Sequence, residues 1–135
     1  MTNPPSRQSV SSGTTFEDTI GYCRAVRIGN LIWVAGTVAA DENTQPVGKG
    51  DPYAQTIYIF RKIEKALGEV GATLHDVVRT RMFMVNAADF GEIGRGHGEV
   101  FHDIRPVATG VVVNALIGSE YLVEIEVDAC LTAAG

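Results

Sequence analysis

Basic residues are in short supply in this chain: 11 Lys and Arg stand against 16 Asp and Glu, for a net charge of −5 and a pI near 5.1. Binding along a phosphate backbone needs clustered Lys and Arg, so this balance excludes a protein that tracks nucleic acid. Cysteine is scarcer still. Cys23 and Cys130 stand far apart, outside any CxxC or Cys/His spacing, and read as two small hydrophobes in a reducing cytosol. No apolar run approaches membrane-spanning length, and Met1-Thr-Asn-Pro-Pro-Ser-Arg7 has no apolar leader core. A cytoplasmic protein with no membrane partner is expected. No cluster of His, Cys, Asp and Glu has metal-ligand spacing, and GxGxxG, GxxxxGK and nucleophile-elbow patterns are all missing. Neither a metal nor a cofactor is expected.

What remains is a chain of 135 residues, 45% hydrophobic and 20% charged, which suits one soluble globular domain over residues 1–135. Residues 1–18, rich in Ser, Thr, Pro and Gly, read as a loose N-terminal arm. Tyr22 to Ile28 reads as a strand, and Gly29-Asn30 as a hairpin turn into Leu31-Ile-Trp-Val-Ala35. After a polar loop, Asp51 is placed to cap a helix that opens at Pro52. From Tyr53 to Val70, the apolar residues Ile59, Phe60, Ile63, Ala66, Leu67 and Val70 recur at helical spacing, with Arg61, Lys62, Glu64 and Lys65 turned to water.

Asp76 to Val85 reads as a third strand. Alternation sends Arg79, Arg81 and Phe83 one way and Thr80, Met82 and Met84 the other. Phe90, Ile93, His97, Val100 and Phe101 mark a second helical face. Gly91, Gly94, Gly96 and Gly98 interrupt it at about 1 kcal/mol each relative to Ala, so packing must hold that helix. Strands over Thr109–Val113 and Leu122–Cys130 finish an α+β fold of order β-β-α-β-α-β-β, a mixed sheet with two helices on one face. Leu31 to Val38 and Val111 to Val113 are apolar on consecutive residues, as strands covered on both faces are.

Certain landmarks in this order carry a resemblance. They are Gly21-Tyr22, Ala25-Val26, Gly29-Asn30, Val34-Ala-Gly36-Thr37, Gln55, Glu69-Val-Gly-Ala72, Asp76-Val-Val-Arg79 and Asp89-Phe90, then Pro106 and Glu124-Ile-Glu126. From Tyr22 onward the chain resembles the RidA/YjgF family, whose members hydrolyse reactive enamines and imines to ketones and ammonia and have also been labelled L-PSP endoribonucleases. The resemblance implies a chorismate-mutase-like fold assembled as a homotrimer. The sheets would form an inner barrel with the helices outside, and a small-molecule ligand would lie in clefts between subunits.

Position by position, the resemblance makes Glu124 the carboxylate beside the attacking water, a role that needs hydrogen-bond reach. Its alternative is one acid of a half-solvated strand, since Glu124, Glu126 and Asp128 alternate with apolar neighbours. Tyr22 matches a cleft tyrosine, and Gly36 and Thr37 a place where strand backbone approaches substrate. Ala108, beside Thr109, stands where active imine deaminases carry the arginine that grips the substrate carboxylate. Deamination of 2-imino acids is therefore not implied, while chemistry on another enamine stays open. Arg81 or Arg105 could supply the missing cation, although Arg81 could equally pair with Glu124, Glu126 or Asp128 across the sheet. His97 replaces a family cleft tyrosine and could act as a base; the alternative is a satisfied core histidine. Two functions fit these residues: an enamine or imine deaminase of altered specificity, and a non-catalytic ligand-binding or regulatory trimer.

Overall fold

The computed structural model describes residues 3–133. Its elements are β1 (Arg7–Val10), α1 (Thr15–Ile20), β2 (Ala25–Ile28), β3 (Leu31–Thr37), α2 (Pro52–Glu69), β4 (Val77–Met84), α3 (Phe90–Phe101), β5 (Val107–Val112) and β6 (Val123–Cys130). The expected order is present with two elements added before it. The stretch expected to be a loose arm instead pairs as β1 with β2 and then forms α1. Two contacts explain the order there. Val10 is buried in the core, and the Glu17 carboxylate accepts from the backbone N–H and hydroxyl of Ser12.

Six strands form one sheet in the order β1-β2-β3-β6-β4-β5. Every pair is antiparallel except β4 with β5, which α3 connects as a parallel crossover. On β6 the pleat alternates without a break: Val123, Ile125, Val127 and Ala129 are buried, and the residues between them are partly exposed. The buried set joins Ile32, Val34, Met82 and Met84 against Ile59, Phe60, Ile63 and Leu67 of α2. Burying each of these large side chains contributes about 1.5–3 kcal/mol.

Asp51 caps α2 as expected, its Oδ1 accepting from Ala54 N at 3.0 Å, with Pro52 opening the helix. The glycines of α3 acquire a purpose at Gly96. A Cβ there would sit 2.9 Å from Thr56 Cγ2, so only glycine lets the two helices approach so closely. Lys62 departs from expectation. It is half-buried, and its Nζ donates to Val38 O at 2.9 Å just past the end of β3. Gln55, buried near the start of α2, donates to Gly48 O and Glu120 O and accepts from Leu122 N at 2.8 Å. These bonds fix where β6 begins, and with it the position of Glu124.

The opposite face of the sheet carries exposed apolar residues, Leu31 and Trp33 on β3 and Val107 and Val111 on the edge strand β5.

Candidate active site

Register decides which charges meet on the open face of the sheet. Cross-strand partners are Arg79 with Asp128, Arg81 with Glu126, and Phe83 with Glu124. Arg81 Nη1 accordingly reaches Glu126 Oε1 at 3.2 Å and Asp128 Oδ2 at 3.4 Å, and Arg79 lies 3.9 Å from Asp128. At this degree of exposure each pair contributes about 0.2–1 kcal/mol. The candidate anion anchor Arg81 is thus occupied by a carboxylate ladder that does not include Glu124.

Glu124, half-buried, faces β3 where its pairing with β6 is irregular, between Val34 and Thr37. Gly36 sits beneath its carboxylate: a Cβ at Gly36 would overlap Glu124 Oε2 and lie 3.0 Å from its Cδ. Burial pushes the Glu124 carboxyl above its ordinary 4.5; the Arg24 guanidinium pulls it back in part, and Glu126 adds to the rise. Arg24 is a residue that the sequence reading passed over. Its Nη2 donates to Gly36 O at 3.1 Å and its Nη1 to Thr37 Oγ1 at 3.3 Å. The same guanidinium lies 5.5 Å from the centre of the Tyr22 ring. The signal was present, because Arg24 follows Tyr22 by two residues and side chains two apart along an extended segment share a face.

Tyr22, Gly36, Thr37 and Glu124 therefore gather at one end of β2, β3 and β6, with Arg24 among them. The remaining candidates lie elsewhere. His97 points into the helix layer, sharing a 2.8 Å hydrogen bond between Nε2 and Thr80 Oγ1 and packing on Phe60 and Phe101 at ring-centre distances of 5.7 and 4.8 Å. Ala108 pairs with Thr80 and shares that face, whereas Thr109 pairs with Arg81 on the open one. Arg105 is exposed, takes a left-handed φ of 59°, and donates from Nε to His102 O at 2.9 Å, closing the turn after α3. Within one chain Glu124, His97 and Arg81 do not converge.

Two consequences can be measured. Gly36→Ala is expected to displace the Glu124 carboxylate toward water and bring its pKa down toward 4.5, read by carboxyl NMR titration of glutamate-labelled protein. An unchanged titration would mean that Gly36 does not seat the carboxylate. His97 is held below its ordinary 6.5 by burial. The unfolded chain therefore takes up this proton more readily, and stability falls as pH drops below 6.5. The urea midpoint is expected to fall less in His97→Gln than in the parent between pH 7.5 and about 5.5, the window in which an ordinary histidine titrates.

A sheet with helices on one face, and a carboxylate seated over a strand glycine on the other, define a domain of the RidA/YjgF type. The chain belongs to that family: residues 14–131 match the family described as Endoribonuclease L-PSP. It is 40% identical over 120 residues to an uncharacterized protein of Streptomyces coelicolor, covering 89% of each chain. It is 33% identical over 104 residues to the 3-aminoacrylate deaminase RutC of Acinetobacter baylyi, covering 77% of this chain and 82% of that one. The crystal structure of Rv2704 from Mycobacterium tuberculosis, a member of the YjgF/YER057c/UK114 family, superposes with a TM-score of 0.84 at 50% identity, covering 93% of this chain and 100% of the other. Among the described residues, no helix is long and apolar enough to cross a membrane.

Proposed function

We propose that this chain assembles as a homotrimer whose inter-subunit clefts hydrolyse a small enamine or imine to a carbonyl compound and ammonia. The observation that carries the reading is the Glu124 carboxylate, half-buried over Gly36 and held above its ordinary pKa. A carboxylate of that kind, once ionised, can take a proton from water as the water adds to C=N. The proton is then available to the nitrogen, which leaves as ammonia while the carbonyl forms. The likeness to the 3-aminoacrylate deaminase RutC supports the same chemistry.

Trimer formation would also reunite the divided candidates. The exposed β5 strand of one subunit carries Ala108 and Thr109, with His97 behind them through Thr80. Docked against a neighbour, that edge would face Tyr22, Gly36, Thr37 and Glu124. In this arrangement Tyr22 or His97 handles the second proton, and backbone at Gly36 and Thr109 positions the ligand. Arg81 has no part, being bonded to Glu126 and Asp128. The ribonuclease activity in the family's description is disfavoured by the net charge of −5.

Ammonia release above the spontaneous rate, measured with 2-aminoacrylate-type imines generated in situ, tests the proposal. The parent is expected to accelerate release, and Ala108→Arg, which places a second cation for the carboxylate of these 2-imino acids, to accelerate it at least as much. If neither protein exceeds the buffer rate, the deaminase reading fails.

A further inference from the structure

We infer that Arg24 is the carboxylate-binding residue of this cleft, gripping the ligand from the Glu124 side instead of from β5. The inference rests on the cleft proposed above and specifies its ligand as a small carboxylic acid. Three observations lead to it.

Arg24 is a half-buried cation beside Glu124, yet among the described residues it makes no ion pair within 4.0 Å. Arg79, Arg81 and Arg95, by contrast, are all held by acids. Glu124 and Glu17 feel this charge but do not contact it, and a partly desolvated cation with no acid in contact favours an anion arriving from solution. Its orientation is also fixed in advance. Two of the five N–H groups of the guanidinium are spent on Gly36 O and Thr37 Oγ1, which leaves donors free in a planar fork suited to a carboxylate. A second cation strengthens the local field. Lys62 stands close enough to Arg24 that the guanidinium helps burial lower its pKa to about 8, and it remains tied to Val38 O.

The ligand class follows from the charges that surround this spot. Glu124 and Glu17 both feel the Arg24 charge, Glu126 lies beside Glu124, and Asp41 is near Lys62. One fork among four acids suits a monoanion better than a phosphate dianion. Alanine at position 108 is then no loss of affinity for acids, because the cation has changed strands.

Calorimetric titration of the assembled protein with pyruvate and with its neutral analogue pyruvamide tests the inference. The parent is expected to prefer pyruvate by about ten- to a hundredfold, the range for hydrogen bonds to a charged partner. Arg24→Met should abolish that preference, Arg24→Lys should keep part of it, and Arg95→Gln, on the exposed side of α3 away from the cleft, should leave it in place. Circular dichroism and size-exclusion chromatography establish that each variant is folded; if Arg24→Met is not, the Arg24→Lys comparison decides. A parent without preference, or variants at Arg24 that keep it in full, would overturn the inference. Preference for pyruvate in a protein that releases no ammonia would uphold Arg24 as the anchor while removing the deaminase reading.

Discussion

Glu124→Gln is expected to lower ammonia release by about 10²–10⁴-fold, the usual contribution of a positioned general base. Glutamine keeps the shape of the side chain and its place over Gly36 but cannot accept the proton of water. The base works only when ionised, so activity should fall on the acid side along a limb centred above 4.5, the direction in which burial moves Glu124. That limb should vanish in the variant. The stability effect has the opposite sense. A carboxyl with a raised folded pKa is most comfortable protonated, and the stability it confers below 4.5 is lost as pH rises through its folded pKa. Glutamine removes the loss, so the variant should resist urea at pH 7.5 at least as well as the parent. A folded Glu124→Gln protein with parental kcat would eliminate Glu124 from the mechanism.

Phe60→Ala should give the largest stability change, about 3–5 kcal/mol, because it removes a large aromatic side chain from a closed core. Phe60 is 1% exposed and meets Phe101 edge-on at 5.0 Å and His97 at 5.7 Å. Truncation would open a cavity where both helices meet the sheet and free the imidazole that bonds Thr80. Phe60→Leu, which keeps more of the volume, should cost less. Urea midpoints at one fixed protein concentration would check this, since assembly adds to apparent stability. A cost below about 1 kcal/mol would mean that the layer collapses without difficulty around the gap.

Much of the fold was legible because its signals are local. The spacing of Ile59, Phe60, Ile63 and Leu67 specifies one helix face, and all four are buried. Strict alternation along Val123–Cys130 specifies a strand with one wet face, as found. The N-terminal segment misled for the opposite reason. Composition alone describes a polar stretch, and only the pairing of β1 with β2 and the bonds from Ser12 to Glu17 give it order.

The candidate site was legible as residue types and illegible as a constellation. Glu124, Tyr22, Gly36 and Thr37 were found in sequence and gather in space. His97 and Ala108, found by the same reasoning, lie on the other side of the sheet in the same chain. Arg81 was an even choice between ligand and salt bridge. A register that places it opposite Glu126 rather than Glu124 decided for the bridge. Arg24 carried one signal, its place two residues after Tyr22, and that was weaker than the positions of Arg81 on a central strand and Arg105 beside Ala108.

The sequence by itself determined the α+β class, the helix faces, the acidic balance and the membership of a family, since periodicity, charge and ordered landmarks are properties of the chain. The tertiary structure decided which strand lies opposite which, that Gly36 supports a carboxylate, and that Arg24 rather than Arg81 stands beside it. Those facts depend on cross-strand register and on one irregularity in β3, and both are set by packing between residues far apart in the chain, 45 positions for Arg81 and Glu126 and 88 for Gly36 and Glu124, which no local pattern encodes.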